Sequence, residues 1–91
     1  MAFFGFVRKQ EKEKEFFDII KEFRSKFPAT EGWAINTFIN NKTGFVVTKI
    51  EKNGKIMSQA TIEKGDSIIE SERECIREAL IRFGFIPVAD V

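Results

Sequence analysis

Apolar residues first recur at helical spacing. Phe16, Ile19, Ile20, Phe23 and Phe27 form one stripe, which predicts a helix over residues 8–27. Phe17 points off that stripe, and the run from Lys9 to Glu15 reads as a solvated first half. Pro28 ends the helix, because a proline pushes the residue before it out of the α region. After a turn at 29–32 the period changes to two. Trp33, Ile35, Thr37 and Ile39 fall on one side, and Ala34, Asn36 and Phe38 on the other, which predicts a strand over 33–39.

Asn40 to Gly44 has the residue chemistry of a hairpin loop. A second strand is expected over Phe45 to Glu51 and a third over Lys55 to Ile62. Asn53-Gly54 between them predicts a two-residue type I′ turn. That turn sets a register in which Lys52 pairs with Lys55, Ile50 with Met57, Thr48 with Gln59, and Val46 with Thr61. Phe45, Val47, Ile56, Ala60 and Ile62 then face the helices, and Val46, Thr48, Ile50, Met57, Gln59 and Thr61 face outward. A bulge would exchange these faces, since a slip of one residue turns every side chain over.

Gly65-Asp66 closes the third strand. Ser67 with Glu70, or Ser71 with Glu74, fits a capping box. A second helix is expected from about Ser71 to Phe83, burying Cys75, Ile76, Ala79, Leu80 and Phe83. Ile68 and Ile69 read either as a short fourth strand or as the first helical turn. Gly84 suits the position just past a helix end, and residues 85–91 read as an extended tail. The expected fold is α+β in α-β-β-β-α order, a two-layer sandwich. Its three-stranded antiparallel meander carries both helices on one face.

The 91 residues are read as a single domain with an apolar N-terminal arm at 1–7. Eleven Phe, one Trp and no Tyr supply packing area without hydroxyl handles. The net charge of +1 gives no bulk electrostatic argument for nucleic acid or membrane. Residues 1–64 are mildly basic, and 65–91 carry three basic against six acidic side chains. The single cysteine excludes an intrachain disulfide, which fits a cytoplasmic protein. The apolar run Phe3 to Val7 is too short for a membrane span.

Chemistry is constrained by what is missing. Without histidine, the commonest general base and metal ligand is gone. One cysteine cannot build a zinc site, and Cys75 falls on the predicted buried stripe. Glu74 and Glu78 share a helix face, but Arg73, Arg77 and Arg82 interleave with them and predict ion pairs. The six glycines are isolated, so there is no phosphate loop. Lys64-Gly65-Asp66-Ser67 reads as a cap, because Asp66 would repel an anion at that helix start. These observations predict a non-enzyme with no catalytic residues, cofactor or metal.

The order helix, three strands, helix is similar to that of the double-stranded-RNA-binding domain. That family reads RNA phosphates with lysines at the start of its second helix. The matching stretch here, Glu70-Ser71-Glu72-Arg73-Glu74, is acidic and argues against duplex RNA.

Two apolar surfaces then point to partners. Phe3, Phe4 and Phe6 are costly to leave in water, at roughly 1.5–3 kcal/mol each, so the arm either folds back and pads its own core or docks on another chain. The outward set Val46, Thr48, Ile50, Met57, Gln59 and Thr61 lacks the charge of a plain solvent face. The expected function is a small interaction protein, an inhibitor or accessory protein, that forms a homo-oligomer and binds a partner protein. The alternative is a nucleic-acid or nucleotide-binding module using Lys42, Lys49, Lys52 and Lys55.

Overall fold

The computed structural model describes residues 15–86. Helix α1, at 15–26, is followed by a 3-10 turn at Ala29–Glu31. Strands β1 (Trp33–Asn40), β2 (Phe45–Lys52) and β3 (Lys55–Glu63) come next, and helix α2 (Ile68–Phe83) ends the order. The strands form one antiparallel sheet in the order β1-β2-β3, and both helices pack on one face of it. The chain is thus an α+β sandwich in the expected α-β-β-β-α order.

Local chemistry explains the element ends. Phe27 donates its N–H to Phe23 O, and Pro28 then sits in extended conformation. Asn40 Oδ1 accepts from the N–H groups of Lys42 and Thr43, an Asx turn that reverses the chain into β2. Asn53 and Gly54 both have positive φ, 52° and 83°, as a type I′ turn requires. At the end of α2, Gly84 N–H donates to Ile81 O and Phe85 N–H to Leu80 O, the paired bonds of a Schellman motif.

Helix α2 begins at Ile68, not near Ser71. Ser67 is its N-cap, and the Ser67 hydroxyl accepts from Glu70 N–H at 3.2 Å. Ile68 and Ile69 are therefore the first helical turn, and both are exposed.

The core is built from Phe23 of α1, Val46 and Ile50 of β2, Ala60 of β3, and Cys75, Ala79 and Leu80 of α2. Small residues at Ala60, Cys75 and Ala79 bring α2 close to the sheet. The Cys75 thiol lies 3.4 Å from Val46 O and 3.5 Å from Ala60 O. The Ser58 hydroxyl donates to Ala79 O at 2.9 Å. Beside this core, the rings of Phe23, Phe27, Trp33, Phe83 and Phe85 meet mostly edge to face, with centroids 4.8–6.2 Å apart. Phe85 and Ile86, expected in an extended tail, instead pack against the core. Residues 87–91 of that tail lie outside the described residues.

The register of β2 differs from the expectation. Lys52 pairs with Lys55 as the turn predicts, and Glu51 pairs with Ile56. Ile50 then pairs with Ser58, Thr48 with Ala60 and Val46 with Ile62. Met57 is the extra residue of a β-bulge. The bulge turns β2 over relative to the distal half of β3. Val46, Thr48 and Ile50 face the helices and are fully buried. Their β1 partners Ile39, Thr37 and Ile35 share that side. The polar member, Thr48, is satisfied by Thr37, with the two hydroxyls 3.0 Å apart. Phe45, Val47 and Ile56, expected against the helices, stand on the open face. Ala60 and Ile62 face inward as expected.

Candidate interaction surface

The face of the sheet away from the helices is built in four cross-strand rows. Going along β2, these are Asn40–Phe45–Glu63, Phe38–Val47–Thr61, Asn36–Lys49–Gln59 and Ala34–Glu51–Ile56. The bulge sets Met57 beside Ile56, and both side chains reach solvent. Four large apolar side chains are exposed on this one surface: Phe38 (47%), Phe45 (40%), Ile56 (47%) and Met57 (46%). They form two apolar ends, Phe38 with Phe45 and Ile56 with Met57, separated by a polar waist. At the waist, Asn36 Nδ2 donates to Glu51 Oε2 at 2.8 Å. Lys49 Nζ lies 5.5 Å from the Phe38 ring centroid, a cation–π distance.

Of the six residues expected outward, Met57, Gln59 and Thr61 are there. Val46, Thr48 and Ile50 are not, because the bulge buries them, so they cannot contact a partner. The surface instead gains Phe38, Phe45, Val47 and Ile56, which the turn-based register had assigned inward or left aside. A signal for them lies in β1. Its apolar alternation Trp33, Ile35, Thr37, Ile39 crosses a four-residue loop to Val46, Thr48 and Ile50 and sets the opposite phase for β2. Phe3, Phe4 and Phe6 lie outside the described residues.

The lysines of the alternative reading do not gather. Lys42 lies in the β1–β2 loop, and Lys52 and Lys55 flank the turn at the other end of β2. At about 3.3 Å per residue, an eight-residue strand separates these ends by roughly 23 Å. Lys49 alone is on the open face. Lys52 shares the phase of Ile50, and its Nζ lies 5.3 Å from the Trp33 ring centroid. That contact offsets the like charge of Lys55 across the ladder.

The other candidates are occupied by structural roles. Cys75 is fully buried under the sheet. Glu78 pairs with Arg82 at 3.6 Å on the same helix. The α2 start is committed internally, with Glu70 N–H on Ser67 Oγ and Gly65 N–H on Ser71 Oγ at 2.9 Å. Among the described residues no buried side-chain polar atom lacks a partner, and no group of three potential ligands is placed to hold a metal ion. No helix among them is long and apolar enough to cross a membrane. No family model, curated protein or solved structure matches this chain.

Proposed function

We propose that this chain is a non-enzymatic, cytoplasmic interaction protein that self-associates and binds a partner protein through the open face of its sheet. One observation carries the reading. Phe38, Phe45, Ile56 and Met57 each expose 40–47% of their surface on a single uncovered face. Apolar exposure gathered on one face in two patches, with polar groups between them, supports an interaction site. The polar waist of Asn36, Lys49, Glu51 and Gln59 supplies donors and acceptors, and so limits the partners that fit. A lone cysteine buried as a free thiol suits a reducing compartment.

The magnitudes favour a weak contact. Covering the exposed half of each large side chain contributes about 1 kcal/mol, so about 4 kcal/mol for the four on each copy and about 8 kcal/mol for a symmetric pair. That offsets only part of the range of association cost, about 4–15 kcal/mol. Hydrogen bonds at the waist must add the remainder, so self-association belongs in the range of tens of micromolar and above. Sedimentation velocity across that range tests it. The wild type is expected to shift from monomer to dimer, and Phe38→Lys with Met57→Lys to remain monomeric with an unchanged folded spectrum. A wild type that stays monomeric at about 200 µM, indistinguishable from the double variant, refutes self-association through this face.

A further inference from the structure

On the opposite side of the molecule, the two helices leave a groove of about 860 Å³ between them. Its apolar lining includes Ile19 of α1, Ile81 of α2, and Phe85 and Ile86 beyond α2. Its charged lining is lopsided: Glu15, Glu22, Glu74 and Glu78 against Lys26 and Arg77, a net charge of −2 that Arg82, paired with Glu78 at 3.6 Å from outside the lining, reduces to −1. Both cations are already engaged, Lys26 with Glu22 at 3.3 Å and Arg77 with Glu15 at 3.9 Å. The groove therefore suits a segment that combines bulky apolar anchors with excess positive charge.

The chain's own sequence contains such a segment. Residues 1–14 lie outside the described residues, and their composition complements the groove. Phe3, Phe4, Phe6 and Val7 are the anchors. Arg8, Lys9, Lys12 and Lys14 against Glu11 and Glu13 give a net charge of +2. The Arg77–Glu15 pair ties α2 to α1 at the end of the groove nearest that segment's own attachment point. Resting on the self-association reading above, we propose that the inter-helix groove receives residues 1–14 of a second copy of this chain.

The test is a labelled synthetic peptide of residues 1–14 titrated with the full chain and followed by fluorescence anisotropy. Saturable binding is expected, weakened about tenfold or more at about 0.5 M salt. Glu22→Lys with Glu74→Lys, both exposed and tolerant of replacement, is expected to weaken it similarly, and the peptide with all three Phe changed to Ser is expected not to bind. No binding at about 1 mM peptide overturns the proposal whatever the oligomeric state. Binding unaltered by the two charge reversals in a folded variant overturns the groove as its location. A chain that sediments as a monomer and yet binds the peptide overturns the second copy as occupant, and the self-association reading with it.

Discussion

Replacing Ile50 and Ile56 separately with alanine tests the bulge directly, because the two neighbouring registers invert which of them matters. With Met57 as the extra residue, Ile50 is fully buried between β2 and the helices and Ile56 is about half exposed. In the unbulged register, Ile56 would lie inside and Ile50 outside. Ile50→Ala removes three buried carbons, about 2.4 kcal/mol at about 0.8 kcal/mol each. The cavity left against Leu80, Phe23 and Ala79 adds to this, because a core with β2 at its centre relaxes only in part. The expected loss is about 3–4 kcal/mol. Ile56→Ala removes the same carbons from a position with solvent on one side, and is expected to cost about 1 kcal/mol or less.

The difference is large against the total stability of a domain this size, about 5–14 kcal/mol. Urea unfolding monitored at Trp33, at a concentration low enough to keep the chain monomeric, reads both values. Thermal midpoints give a second measure, at about 4–8 °C per kcal/mol. Ile56→Ala costing as much as Ile50→Ala, or more, would falsify the bulged register. The assignment of Phe38, Phe45, Ile56 and Met57 to one open face would fall with it.

Three further outcomes follow from local geometry. Ser67→Ala removes the side-chain acceptor for Glu70 N–H and is expected to cost about 1 kcal/mol in urea unfolding, whereas Ser71→Ala tests the unused alternative cap through its contacts to Gly65 N and Ser67 O. Gly32→Ala is expected to destabilise more than Gly84→Ala: both have φ near +90°, but an added Cβ at Gly32 collides with the Asn53 side chain while the space at Gly84 is open. The left-handed conformation alone accounts for about 1–2 kcal/mol at each, so any excess at Gly32 measures the collision. Cys75 is expected to resist a bulky disulfide reagent in the native state and to react promptly in urea, since its side chain is fully buried; rapid native labelling would reopen a reactive-thiol role.

Element order was legible in the sequence because each signal was local. The Phe16-to-Phe27 stripe, the Pro28 stop, the Asn53-Gly54 turn and Gly84 each depend on only a few neighbouring residues. The start of α2 was less so, since Ser67 and Ser71 both precede a glutamate by three. Only the backbone position of Glu70 relative to the Ser67 hydroxyl separates them. Phe85 looked like tail by its nearness to Pro87, yet the Schellman turn at Gly84 swings it back onto Phe23 and Phe27. The faces of β2 were not legible from the β2–β3 turn alone, because one inserted residue reverses all assignments beyond it. The lysines were individually visible, but their separation depends on the ends and faces of the sheet on which the register places them.

The bulge and the candidate surface have a common origin. Strand β2 has two neighbours, and each hairpin imposes a phase on it. The β1–β2 loop sets Ile39 opposite Val46, which puts Val46, Thr48 and Ile50 inward beside the more apolar side of β1. The Asn53-Gly54 turn, carried without interruption along β3, would pair Ile50 with Met57 and leave Ala60 and Ile62 facing away from them. Both demands are met only if β3 holds an extra residue between its turn and its distal half. Met57 takes that place, which lets Ser58 reach the Ala79 carbonyl and Ala60 sit under Cys75. The turn-proximal residues remain in the phase the turn dictates, so Ile56 stays outward with Glu51. The apolar pair Ile56–Met57 is thus exposed because the core is well satisfied elsewhere. The other apolar end, Phe38 and Phe45, has no such compensation, since a polar residue at either position would leave the core unchanged. Those two phenylalanines are therefore the exposed residues whose apolar character the core does not require, and the proposed partner contact would account for them.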